Sequence, residues 1–123
     1  MIDIKFTIPL APISKKNSQQ ILINKSTGKP FIMPSKQYKE YEAAAMWFIP
    51  AGRTISTAVN IKCLFYMPTR RKCDLTNMLE AIDDIMVKTG LLEDDNFTII
   101  QSHDGSRIYY NKSKPRTEVY ITD

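Results

Sequence analysis

Histidine occurs once in this chain and cysteine only twice. Cys63 and Cys73 stand ten positions apart, with no Cys-x-x-Cys pair and no histidine beside them, so neither a zinc ribbon nor a disulfide scaffold is indicated. They read as reduced thiols, the usual state in the cytosol. The one histidine, His103, falls in the turn-like Ser102-His103-Asp104-Gly105 and reads as a surface residue rather than a general base. Long apolar runs are also missing. No stretch approaches the roughly 18 residues that a bilayer-spanning helix needs, and the N-terminus alternates from its first residues where a signal peptide would be continuously apolar. A soluble, cytoplasmic protein without a membrane partner is expected. Repeats, low-complexity tracts and linkers are absent too, and 123 residues with 43% hydrophobic content suit a single domain with a real core.

What the chain does have is unevenly distributed charge. Overall it is basic, +4 with a pI of about 9.1, a modest pointer to a nucleic-acid partner. Between Asp74 and Asp95, however, one lysine faces seven acids (Asp74, Glu80, Asp83, Asp84, Glu93, Asp94 and Asp95), a local charge of −6. The rest holds sixteen basic and six acidic residues, +10. A focal acidic cluster in a positive frame suits a magnesium-dependent enzyme acting on a polyanion, because the cation takes oxygen ligands and the frame takes phosphates.

Hydrophobic periodicity supplies the elements. Ile2, Ile4, Phe6 and Ile8 alternate with polar residues as a strand with one buried face, closed by Pro9 and Pro12. Ile21–Ile23 and Pro30–Met33 flank a turn-forming Lys25–Lys29 and read as a hairpin. Ser35 is placed to cap a helix through Tyr38, Tyr41, Ala45 and Phe48, ended by Pro50 and Gly52. Met46, Trp47 and Phe48 at its end read as core, as do most of the tyrosines and phenylalanines. Thr57–Met67 reads as a central strand. Leu75, Met78, Leu79, Ile82, Ile85 and Met86 then describe the clearest helix, with Asp74 capping its start and Gly90 its end. Phe97–Gln101, a turn or bulge at Asp104-Gly105, Arg107–Tyr110 and a last strand over Thr117–Thr122 complete the chain. The expected fold is α/β or α+β: one small domain, residues 1–123, with a mixed sheet and two main helices packed on it.

Around the second helix Asn77, Glu80, Asp84 and Lys88 fall on the stripe opposite the apolar one. Ordinary explanations compete with a site there. Asp84 and Lys88 can form a surface ion pair, Glu80, Asp83 and Glu93 can be solvated surface charge, Asp74 can be a cap, and Asp94-Asp95 a turn. A helix of about 15 residues is roughly 22 Å long. Asp95 therefore meets Asp74 only if the chain after Gly90 runs back alongside the helix, or if a second subunit supplies it.

The pattern resembles the RusA-type Holliday-junction endonucleases of phages and prophages, whose signature is Asp-x-Asp-Asn-x-x-Lys, a helix carrying a further Asp, then Gly and an Asp-Asp pair. Here Asp74, Asn77, Asp84, Gly90, Asp94 and Asp95 stand at motif positions. Lys15-Lys16-Asn17, Ser35, Tyr38, the basic run before Asp74 and the closing Lys114–Ile121 extend the likeness over nearly the whole chain. Two positions depart: Thr76 replaces the second Asp, and Glu80 stands where the family has a Lys. One acid is lost and another appears a helical turn later, which suggests that Glu80 has taken over the missing ligand. The resemblance implies a magnesium-dependent endodeoxyribonuclease, with manganese as a substitute ion. Such an enzyme resolves four-way junctions by paired nicking of opposed strands in DNA recombination and repair, leaves 5′-phosphate and 3′-hydroxyl ends, and acts as a homodimer in a bacterial or phage-infected cell. On that reading Asp74, Glu80, Asp84 and Asp95 are catalytic, with Asp74, Glu80, Asp94 and Asp95 on the metal. Lys15, Lys16, Asn17, Arg70, Arg71, Lys72 and Arg107 hold DNA. The alternatives are a non-catalytic branched-DNA-binding protein that has lost part of the metal site, and a metal-dependent RNase or phosphodiesterase on the same scaffold.

Overall fold

A computed structural model describes residues 1–15 and 19–123, without the side chains of residues 19, 20 and 34. The elements follow as β1 (Asp3–Ile8), β2 (Gln19–Ile23), β3 (Pro30–Pro34), α1 (Lys36–Ala45) with a 3-10 turn at Met46–Phe48, β4 (Val59–Met67), α2 (Leu75–Lys88), β5 (Ile100–Ser102), β6 (Arg107–Tyr110) and β7 (Arg116–Thr122). The α+β class, mixed sheet and two helices agree with the sequence reading.

The main sheet runs β1-β7-β4, with β5 and β6 both parallel to β4 at different points along it. β7 lies antiparallel between β1 and β4. β5 and β6 are thus one edge position interrupted by the Asp104-Gly105 turn. That turn needs glycine: Gly105 has φ +88°, and a Cβ there would lie 2.7 Å from Cδ of Lys62. Alternation then builds the core. Phe6 and Ile8, Val59, Ile61, Cys63 and Phe65, and Val119 and Ile121 face inward, where Met78, Leu79, Ile82, Ile85 and Met86 of α2 and Tyr38, Tyr41 and Ala45 of α1 join the same cluster. Burial at this interface pushes the Tyr41 hydroxyl up to about 12. On the outer face Lys5 and Lys62 lie over the ring of Tyr120, 5.7 and 4.5 Å from its centroid.

Ser35 caps α1 as its residue type suggests, accepting from Tyr38 N at 3.1 Å. The helix stops sooner than the apolar pattern implies, tightening into the 3-10 turn. Met46, Trp47 and Phe48 are then carried outward: Trp47 is 88% exposed, so the expectation that these residues are core is wrong. The aromatic residues divide in the same way. Phe6, Tyr38, Tyr41 and Phe65 are buried, whereas Phe31, Phe48, Phe97, Tyr109 and Tyr110 are exposed. The expected β2–β3 hairpin forms, but as a separate two-stranded sheet, with Ile21, Ile23 and Ile32 open to solvent.

Candidate active site

Asp74 stands at the N-cap of α2 with extended backbone (φ −93°, ψ 131°), yet its side chain makes no cap hydrogen bond. The capping role expected for its carboxylate is therefore not the one it performs. Oδ2 instead accepts from Asn77 Nδ2 at 3.3 Å, holding the acid toward the polar face of the helix. Along that face Asn77, Glu80, Ala81 and Asp84 line a cleft of about 110 Å³, with Lys15 and Asp95 forming the rest of its wall. Thr76 is exposed and does not line it.

Asp95 reaches this cleft because the chain turns back at the end of α2. Gly90 takes φ +86°, a left-handed value that favours glycine after a helix. The residues beyond it lie against the segment before β4: Ile55 N donates to Leu91 O at 2.7 Å and Glu93 N to Ile55 O at 3.0 Å. A tight turn follows. Oδ1 of Asp94 accepts from Asp95 N at 2.7 Å and Oδ2 from Asn96 Nδ2 at 2.9 Å, and these bonds hold the Asp94 carboxyl below its ordinary range. Both Asp94 oxygens are thus occupied in shaping the turn, and the residue that enters the cleft is its neighbour Asp95. Residues 97–99 form part of this turn, which delays the strand expected from Phe97 until Ile100.

Charge around the cleft is partly compensated. Asp84 Oδ2 lies 3.8 Å from Lys15 Nζ and 3.4 Å from Lys88 Nζ, the latter being the ion pair that their spacing anticipates. Lys88 makes its shorter contact elsewhere, 2.9 Å to Glu42 Oε2 on α1. Hydrogen bonding to Glu42 and the charge of Asp84 keep that ammonium above its ordinary value.

Asp83 overturns its reading as solvated surface charge. It is buried on the sheet side of α2, with Oδ2 2.8 Å from Nε2 of His103. Oδ1 has no hydrogen-bond partner among the described residues. Burial raises the carboxyl's pKa, with Asp95 adding to the shift and His103 opposing it. His103 is likewise not a free surface residue, its side chain being 27% exposed. Helical position gave the only available signal: Asp83 lies next to Ile82, at the margin of the apolar stripe.

The basic residues also separate. Arg70 is committed to the ring of Tyr110, 4.2 Å from its centroid. Arg116 lies 3.8 Å over Tyr66 and bonds Glu118 at 2.8 Å. Arg71 and Lys72 are exposed along a groove of about 500 Å³ that sequence reasoning missed, lined also by Ser14, Gln37, Met67 and Met78. Arg107 is exposed on β6, across from Leu64 of β4. Lys16 and Asn17 lie outside the described residues.

Compared with known proteins, residues 9–122 match the model of the endodeoxyribonuclease RusA family. The chain belongs to the RusA family. It is 30% identical to the crossover junction endodeoxyribonuclease RusA of Aquifex aeolicus (strain VF5) over 115 residues, 91% of this chain and 86% of that protein. Membership of a nuclease family gives the cleft a test of donor chemistry. Its lining offers carboxylate and amide oxygens with neither thiol nor imidazole, as a hard divalent cation requires. Among the described residues no three His, Cys, Asp or Glu side chains gather closely enough to hold an ion by themselves. Magnesium tolerates this, since it keeps several waters and is commonly bound through one or two carboxylates together with substrate phosphates. The donor set fits the ion.

Proposed function

We propose that this RusA-family nuclease is a magnesium-dependent endonuclease that resolves four-way DNA junctions by nicking opposed strands, and that the cleft beside α2 is its active site. The observation that carries the reading is the meeting of Asp95, from beyond the end of α2, with Glu80, Asp84 and the Asp74-bonded Asn77 on the helix itself.

Of the carboxylates of Asp74, Glu80, Asp84 and Asp95, one or two would hold magnesium or manganese, water and substrate phosphate completing its shell. A bound cation supplies an activated water and neutralises charge at the scissile phosphate and departing oxygen. The protein supplies the rest. Asn77 fixes the Asp74 carboxylate, the Asp94 turn aims Asp95, and Lys15 brings positive charge to the edge of an otherwise acidic cleft. Arg71 and Lys72, shortly before Asp74 in the chain, hold the DNA backbone near the carboxylates, and the exposed Arg107 is a further cation for it. The placing of Glu80 in the cleft supports it as a ligand. Paired incision of a twofold-symmetric junction calls for two active sites on opposed strands, hence a homodimer. Exposed Trp47 and the apolar β2–β3 hairpin leave surface for a second copy to cover.

The test is incubation with a synthetic four-way junction, a duplex, a single strand and an RNA hairpin, with and without magnesium. Symmetric nicks in the junction alone, dependent on magnesium, are expected. Junction binding without nicking would establish the non-catalytic reading instead, and preferential cleavage of the hairpin would establish an RNase.

A further inference from the structure

The groove of about 500 Å³ lies next to the acidic cleft. Residues 11–15 after β1 wall both, with Ser14 lining the groove and Lys15 the cleft, and on α2 Met78 faces the groove while its neighbour Asn77 faces the cleft. We propose that this groove receives the unstacked base and sugar of the nucleotide next to the scissile phosphate at a DNA branch point. The proposal rests on the junction-nuclease reading and adds to it a site for one nucleotide.

Three observations lead there. Ile13, Met67, Pro68 and Met78 give the groove apolar walls. Thioether and proline surfaces of this kind accept the flat face of any base, because the contact is dispersion and not pattern-reading. Gln37 and Thr69 add an amide and a hydroxyl able to meet the polar edge of a base. Arg71 and Lys72 complete the lining, exposed and without an ion-pair partner among the described residues, unlike Arg70, which is held on Tyr110. An apolar slot beside two uncommitted cations is complementary to a base attached to its phosphate, and fits a purely apolar occupant poorly.

Geometry then makes the groove a selector. A base within a continuous duplex is stacked on both sides and must be extruded at a cost before it can enter any slot, whereas nucleotides at a branch point have already lost part of their stacking. Occupation of the groove therefore favours junctions over plain duplex. It also sets which phosphate lies over the carboxylates, because the next phosphate along the strand is carried toward Asp74 and the cleft.

The experiment measures binding of a fluorescent four-way junction by anisotropy, in calcium in place of magnesium, while a single abasic site is moved through the nucleotides around the crossover. One abasic position should weaken binding to wild type by about tenfold, the scale of a single base–protein stacking contact. Filling the groove by Thr69→Trp, or from α1 by Gln37→Trp, should weaken binding of the intact junction to a similar extent and abolish the sensitivity to that abasic position. Junction-selective binding that is indifferent to every abasic site would overturn the groove proposal and leave the nuclease reading standing. Failure of wild type to prefer the junction over duplex would overturn the functional reading first, and the groove with it. The scan on wild type decides by itself should neither variant fold.

Discussion

Replacing His103 by alanine leaves the Asp83 carboxylate inside the protein with nothing to compensate it. The Asp83 side chain is only 10% exposed, its Oδ1 has no partner among the described residues, and His103 Nε2 stands 2.8 Å from the other oxygen. Breaking a fully buried pair by removing one partner costs about 3–5 kcal/mol. An imidazole bears charge only when protonated, and His103 is 27% exposed so that water can enter the vacated space; we therefore expect a loss nearer about 2–3 kcal/mol, the scale of a hydrogen bond to a buried charged group. With an m-value of about 1–3 kcal/mol/M for a domain of this size, the urea midpoint at pH 7 should fall by roughly 1–2 M. The reverse substitution should be mild. Asp83→Leu removes the buried charge and leaves a partly exposed imidazole, costing less than about 1 kcal/mol. Adding His103→Ala to Asp83→Leu should then cost little more, so that the double-mutant cycle gives a coupling of about 2 kcal/mol. Additive effects, or a His103→Ala variant as stable as wild type, would refute the picture of a buried, partnered carboxylate.

The same carboxyl makes stability depend on pH. Its pKa is raised in the folded protein, chiefly by burial, so the native state binds more protons than the unfolded chain above the ordinary carboxylate range. Stability should therefore fall as pH rises through that window, by about 1.4 kcal/mol for each pH unit between the unfolded and folded titrations, and level off once the folded carboxyl is ionised. Urea titrations of Asp83→Asn should lack that fall, and an identical slope would contradict it. Ser35→Ala removes the acceptor for Tyr38 N and should cost about 1 kcal/mol in thermal or urea unfolding, whereas no change would show that the cap contributes nothing. If Arg71 and Lys72 each neutralise a phosphate, replacing both by alanine should weaken junction binding and make the slope of log affinity against log salt shallower by nearly 2, about 0.9 per contact. An unchanged slope would remove them from the DNA surface.

Local chemistry made much of this fold legible. Alternation in β1, β4 and β7 and the apolar stripe of α2 fixed which faces are buried, because period alone decides which side chains share a face. The hairpin and the Ser35 cap followed from residue type. Tertiary packing decided what remained. Trp47 has the composition of a core residue, but the early stop of α1 turns it outward, and no periodicity records where a helix tightens. Asp83 is an acid in a charged helix, and only the return of the chain to His103 in the turn after β5 buries it. At the site, the sequence marked Glu80, Asp84 and Asp95 individually, but their meeting depends on Gly90 and the Asp94 turn, which lie beyond any spacing rule for one helix. The groove is composed of residues 11–14 after β1, Gln37 of α1, the end of β4 with the loop that follows it, and Met78 of α2, an assembly of distant stretches that leaves no local signature.

If the cleft beside α2 cleaves DNA with Glu80 serving as the acid lost at Thr76, both Glu80 and Asp95 are indispensable to the chemistry and neither to binding. The most direct test is the rate of four-way junction cleavage against magnesium concentration for wild type, Asp95→Asn and Glu80→Gln, with junction binding measured alongside. Both variants should bind the junction as wild type does and lose cleavage by about a hundredfold or more, the scale of one essential charge-stabilising group. Full activity in Glu80→Gln would contradict the relocated ligand, and full activity in Asp95→Asn would contradict the site itself.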